Sequence, residues 1–206
     1  MGQTCGKKPI EPMMHMPEDE KEISTRDLLR KSMQNVIVDD EKAIMQNGKD
    51  FYKFLFKEYP KLRKHFTGME DITEEEIERG SWFGRQGQKI LLSTHALIQC
   101  IDHDESFAIH TKGVVRSHIK YHIEPVIWLK YFGVFAQFLR TKGDMPGKTW
   151  DAWTFVAQKF DAVVQKRLEE LGEKNRFTTI PPVLEQGLEW KHKDPLPPTE
   201  DFYPGQ

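Results

Sequence analysis

The chain has 206 residues, 38% hydrophobic and 30% charged, with a formal net charge of −2. That balance suits a globular domain with one sizeable core, and the lack of a basic surplus argues against nucleic acid as a partner. Only two cysteines, Cys5 and Cys100, are present, which excludes a disulfide scaffold and fits a reducing cytosol. No apolar run approaches the length of a membrane span, and the start lacks the pattern of a secretory signal.

Residues 1–22 hold Pro9, Pro12, Pro17, four methionines and a Glu-Asp-Glu-Lys run. They read as a flexible arm with too little apolar surface to pack. The stretch 23–172 is expected to form one all-α domain of about seven or eight helices. Ser24 or Thr25 caps a first helix with Leu29, Met33 and Val36 on one face. Asp39 and Asp40 open a second, with Ile44, Gly48, Phe51, Tyr52 and Leu55 inward, and Pro60 ends it. The capping box Thr73-Glu74-Glu75-Glu76 predicts the start of a long helix. Its inner face carries Phe83, Gly87, Ile90, Leu91, Thr94, Leu97, Ile98 and Ile101. Near 105–120 a helix aligns Phe107, Thr111, Val114, Val115 and His118. Pro125 suits the first turn of the next helix, which buries Leu129, Phe132, Ala136 and Leu139. After a break from Lys142-Gly143 to Pro146-Gly147, a last helix buries Trp153, Val156, Ala157, Phe160, Val164, Leu168 and Leu171, and Gly172 closes it. Residues 173–206 carry six prolines and read as an extended tail whose apolar groups are Ile180, Val183, Leu184 and Trp190. No period-2 alternation marks a strand. Helical periodicity of this kind marks a core and by itself says nothing of a cofactor inside it.

Three spaced segments say more. Phe51 to Pro60 reads Phe-Tyr-Lys-Phe-Leu-Phe-Lys-Glu-Tyr-Pro, and Lys-Leu-Arg-Lys-His-Phe66 follows. Gln86-Gly87-Gln88-Lys89-Ile90 lies in the long helix. Ser117-His118 is followed by Pro125, seven residues beyond the histidine. In this order and spacing, over roughly 24–171, the chain resembles the globin family, with nematode and other invertebrate haem globins nearest in character.

The resemblance implies a globin fold around haem b, with His118 as the axial ligand of the iron. An imidazole nitrogen suits iron, and one fixed ligand leaves the sixth position open for a diatomic gas. The alternative is an ordinary half-buried histidine. By the same resemblance Ser117 bonds the ligand imidazole and fixes its tautomer, or simply faces water. Phe66 wedges against the haem plane, and Val114, Leu129 and Phe132 line it. His122, the competing histidine one turn later, falls near a propionate. Lys89 reaches a propionate or is solvated. Tyr52, Gln86 and Ile90 form the gas pocket: a tyrosine hydroxyl and a glutamine amide are both donors, and bound oxygen, with its partial negative charge, accepts from both. The alternative for Tyr52 is a core filler. Two departures stand out. Met33 replaces the family's usual tryptophan in the first helix, which changes packing. Glu124 replaces an apolar haem contact, which leaves that edge of the haem more open.

The start, Met1-Gly2-Gln3-Thr4-Cys5-Gly6, resembles an N-myristoylation signal in which Gly6 replaces the preferred Ser or Thr. A lone acyl chain holds a membrane marginally, so Cys5 as a palmitoylation site, or Lys7 and Lys8 against anionic lipid, would be the second anchor. The alternative is an unmodified start. The expected location is the cytoplasm, free or on the cytosolic face of a membrane.

The expected function is reversible binding of molecular oxygen for storage, supply or carriage. A membrane-tethered redox or gas-sensing globin is the first alternative, and a helical interaction module without haem is the second. No hydrolase motif, phosphate loop or zinc pattern is present, which sets other enzyme classes aside.

Overall fold

A computed structural model describes residues 23–173 except Thr67 and His122, and the side chains of Lys64 and Pro125 are likewise left undescribed. The arm, the tail, Gly2 and Cys5 therefore lie outside the described residues. Seven α-helices follow in order: α1 Thr25–Met33, α2 Glu41–Glu58, α3 Glu74–Arg79, α4 Ser81–Gln99, α5 Asp104–His118, α6 Pro125–Lys142 and α7 Gly147–Glu170. A 3-10 helix, Pro60–His65, follows α2, and a shorter one, Ile119–Tyr121, follows α5. The described residues contain no strand, as the sequence led us to expect.

Local chemistry explains most helix starts. The Ser24 hydroxyl accepts from the Asp27 amide at 3.1 Å and opens α1. The Asp40 carboxylate accepts from Lys42 at 2.9 Å and Ala43 at 3.4 Å and opens α2. Each such cap is worth about 1 kcal/mol. Pro125 occupies the first turn of α6, where its missing N–H has no helical partner to lose.

The Thr73 capping box forms as drawn: Thr73 Oγ1 accepts from the Glu76 amide at 3.2 Å, and Glu76 Oε2 accepts from the Thr73 amide at 2.8 Å. It opens the short helix α3, however, and the long helix starts afresh at Ser81. Gly80 makes the break, extended at φ −73° and ψ 115°. A Cβ there would meet the Glu76 carbonyl oxygen at 2.9 Å. Four other expectations shift, and one is Ala157, which is half-buried rather than buried. Val36 lies past the end of α1, yet is buried. Leu129 is half-buried, because α6 and α7 leave a narrow gap between Leu129, Gly133, Ala136 and Trp150. Leu171 is exposed where Gly172, at φ +71°, ends the last helix.

The helices pack chiefly as α2 on α4 and α6 on α7, with α1 and α5 also laid on α7. Phe51, Phe135, Phe138 and Trp153 join these layers in one buried cluster. The crossing of α2 and α4 is backbone against backbone. A Cβ on Gly48 would meet the Gly87 carbonyl carbon at 2.6 Å and the Gln88 nitrogen at 2.7 Å, and a Cβ on Gly87 would collide with Gly48 in turn. Only glycine permits so close an approach. No helix among the described residues is long and apolar enough to cross a membrane.

Candidate functional site

The glycine crossing fixes two side chains. Tyr52 stands one turn after Gly48 on α2, and Gln86 immediately precedes Gly87 on α4. Tyr52 is 3% exposed. Aromatic rings surround it: Phe83 at 5.2 Å, and Phe56, Phe66 and Trp82 each at 5.8 Å between centroids. Burial pushes its phenol well above the ordinary tyrosine range, and Tyr131 and Tyr121 add to the push. The hydroxyl therefore stays protonated and remains a donor at any physiological pH. It has no hydrogen-bond partner among the described residues. A donor that no described side chain engages is available to an acceptor that enters the pocket. Gln86 is half-buried, as is Ile90 one turn further along, whereas Lys89 is exposed. Phe66, half-buried at the end of the first 3-10 helix, meets Tyr52 edge-on at 84° and Phe56 at 5.0 Å.

His118 closes α5. Its Nδ1 lies 2.8 Å from the Val114 carbonyl oxygen and 2.9 Å from Ser117 Oγ. Ser117 Oγ donates its own proton to the same carbonyl at 2.8 Å. A carbonyl can only accept, so the neutral ring carries its proton on Nδ1. Nε2 is then a bare lone pair, the form in which histidine binds a metal. Trp128 of α6 meets the His118 ring edge-on at 5.6 Å, and Tyr121 packs on it at 6.1 Å. Val114 and Leu129 are half-buried and Phe132 is buried. His122 lies outside the described residues. Glu124 is half-buried, and its carboxylate lies 3.3 Å from His65 Nε2. That pair joins the first 3-10 helix to the start of α6.

Among the described residues no three His, Cys, Asp or Glu side chains converge to hold a metal ion. A lone histidine nitrogen suits an ion that arrives with its other ligands, as the iron of a porphyrin does. The uncommitted Tyr52 hydroxyl and the tautomer of His118 both fit such a group. Sequence reasoning missed Trp128, Trp82 and Phe56, the rings that hold His118 and Tyr52 in place. The available signal for Trp128 was its spacing of one turn from Phe132 on the face already assigned to the core.

The family model described as Globin matches residues 49–164. The chain belongs to the globin family. A Caenorhabditis elegans globin-like protein is 31% identical to this globin over 154 residues, which cover 75% of the chain and 96% of that relative. The myoglobin of Ascaris suum is 30% identical over 145 residues, 69% of this globin and 95% of the other. The solved structure of a C. elegans globin-like protein superposes with a TM-score of 0.69 at 30% identity, covering 72% of this chain and 94% of that one. The seven helices are thus the globin fold. Membership implies haem as the cofactor and diatomic gases as ligands.

Proposed function

We propose that this globin binds molecular oxygen reversibly, for storage, supply or carriage, with His118 holding haem b and Tyr52 and Gln86 donating hydrogen bonds to the gas. The observation that carries the reading is the Nδ1 of His118, bonded to the Val114 carbonyl at 2.8 Å, which frees Nε2 for iron. Haem, when bound, would supply an iron that can bind a diatomic gas. The protein's own residues do the rest. Ser117 and the Val114 carbonyl orient the imidazole and make it a stronger ligand. Phe66, Ile90, Val114, Leu129 and Phe132 wall the cofactor and exclude water. Lys89 and His122 serve the propionates at its wet edge, where their Coulomb contribution is small.

Tyr52 and Gln86 favour a ligand that gathers negative charge. Each charge-assisted bond is worth about 1.5 kcal/mol, so two give about 3 kcal/mol, or roughly a hundredfold in affinity. Carbon monoxide, which gathers little charge, gains far less. Similarity to the globin called myoglobin in Ascaris suum supports the oxygen-binding assignment. A membrane-tethered redox or sensing role draws its support from the Met1-Gly2 to Cys5 sequence alone.

The test is the absorption spectrum of the purified protein, ferrous, with and without oxygen and carbon monoxide. A five-coordinate ferrous spectrum with slow, reversible oxygen release is expected. A six-coordinate ferrous spectrum without added gas overturns the distal assignment and favours the redox reading. No haem uptake from added hemin overturns both and leaves an interaction module.

A further inference from the structure

We propose that Trp128 is a positioning residue that fixes the plane of the His118 imidazole. The inference rests on the reading of His118 as the iron ligand. Both acceptors at Nδ1, the Val114 carbonyl and the Ser117 hydroxyl, belong to α5. They hold one atom of the ring. Rotation about Cβ–Cγ moves Nδ1, so these bonds limit that torsion, but hydrogen bonds accept a range of angles and a packing contact on the ring narrows it further. Trp128 provides one, meeting His118 at 5.6 Å with an interplanar angle of 78°. This edge-to-face arrangement is the geometry that ring quadrupoles favour.

Trp128 is itself held by the scaffold. It is 7% exposed. Its Nε1–H donates to the Ile123 carbonyl at 3.3 Å, and its ring packs on Phe160 of α7 at 6.2 Å. It sits in the first turn of α6, three residues after the Pro125 that starts the helix. Tyr121, the other ring against His118, is 50% exposed and is carried on the short 3-10 turn beside it. Trp128 is therefore the contact that refers the imidazole to α6, α7 and the corner before them. It sets which way the plane of the ring faces at Nε2. The role is not legible from residue order, because a tryptophan three residues after the proline reads as core.

The experiment uses the full chain loaded with hemin and compares Trp128→Phe, Trp128→Leu and Phe160→Leu. The readout is the iron–histidine stretching band in the resonance Raman spectrum of the ferrous protein, together with the rate of haem transfer to an acceptor apoprotein. The band is expected to shift and broaden in the order parent, Phe, Leu, because Phe keeps a ring but loses the donor to Ile123. Haem loss is expected to quicken roughly two- to tenfold in the Leu variant. Phe160→Leu loosens the α7 contact of Trp128, lowers stability and should shift the band by less than Trp128→Leu does. An unshifted band in haem-loaded Trp128→Leu overturns the proposal, as does an equal shift in Phe160→Leu. If the Leu variant does not fold, an unshifted band in Trp128→Phe, with the Ile123 bond gone, overturns it. Absence of any iron–histidine band from the parent overturns the His118 assignment instead, which is a separate outcome.

Discussion

Replacing Tyr52 by Phe removes one oxygen atom from the pocket and keeps the ring that Phe56, Phe66, Trp82 and Phe83 surround. The structure gives this change one small effect and one large one. Without gas, the Tyr52 ring is buried and its hydroxyl has no partner among the described residues. No protein hydrogen bond is lost on its removal, so gas-free stability should change by less than about 1 kcal/mol. With oxygen, the same change deletes a charge-assisted hydrogen bond worth about 1.5 kcal/mol, so release should quicken roughly tenfold. Carbon monoxide release should barely change. Stopped-flow displacement of oxygen measures the first rate, flash photolysis gives the carbon monoxide rates, and urea melts of the ferrous gas-free form measure stability. Equal acceleration for both gases would refute the hydrogen-bond argument, since it would mean that the ring had moved. A loss of gas-free stability well above about 1 kcal/mol would refute the premise that no protein group accepts from the hydroxyl.

Other expectations follow from neighbouring features. Gly48→Ala drives a Cβ to 2.6 Å from the Gly87 backbone and should cost about 1–3 kcal/mol as overpacking, read as a lower urea midpoint and accompanied by faster oxygen release as Gln86 shifts. Ser117→Ala leaves the Val114 carbonyl as the remaining acceptor for His118 Nδ1; haem should transfer to an acceptor apoprotein about tenfold faster, the usual scale for a lost outer partner of a metal ligand. Burial raises the Asp161 carboxyl above its ordinary value, while a hydrogen bond from Gln165 opposes the shift. The folded state therefore holds that proton more tightly than the unfolded state. The associated stability is present below the ordinary carboxylate range and is lost as pH rises through the raised value. Asp161→Asn keeps the acceptor for Gln165, so it should flatten that part of the stability–pH curve and raise the urea midpoint at neutral pH.

Much of the architecture was legible because its causes are local. A capping oxygen at Ser24 or Asp40 and a proline at the start of α6 act on amides within a turn, so sequence order alone places them. Apolar spacing likewise picks out faces such as Phe107, Thr111 and Val115. What escaped depends on contacts between distant segments or on fine backbone geometry. Apolar spacing does not mark Gly80, and the break shows only in its extended backbone, at φ −73° and ψ 115°. Leu129 follows the inner-face spacing, yet the small residues Gly133 and Ala136 leave a gap beside it. His65 and Glu124 are 59 positions apart, so neither could be paired in advance, and an acidic residue read alone suggested an open edge. Trp128 escaped because its bond to Ile123 depends on how the corner between α5 and α6 folds back.

The contact of Gly48 with Gly87 also bears on how the pocket can change over time. Where two helices are separated by side chains, trading one side chain for another slides them, and everything mounted on them moves together. Here the two backbones are already touching, so α2 and α4 have no spacer to lengthen or shorten at that point. Tyr52 and Gln86 are mounted on a rivet rather than on a cushion. Surface and core substitutions elsewhere in the helices can alter stability while leaving the two donors in register. New ligand preferences are then most directly reached by exchanging the donors themselves, one position at a time, on a frame that stays put.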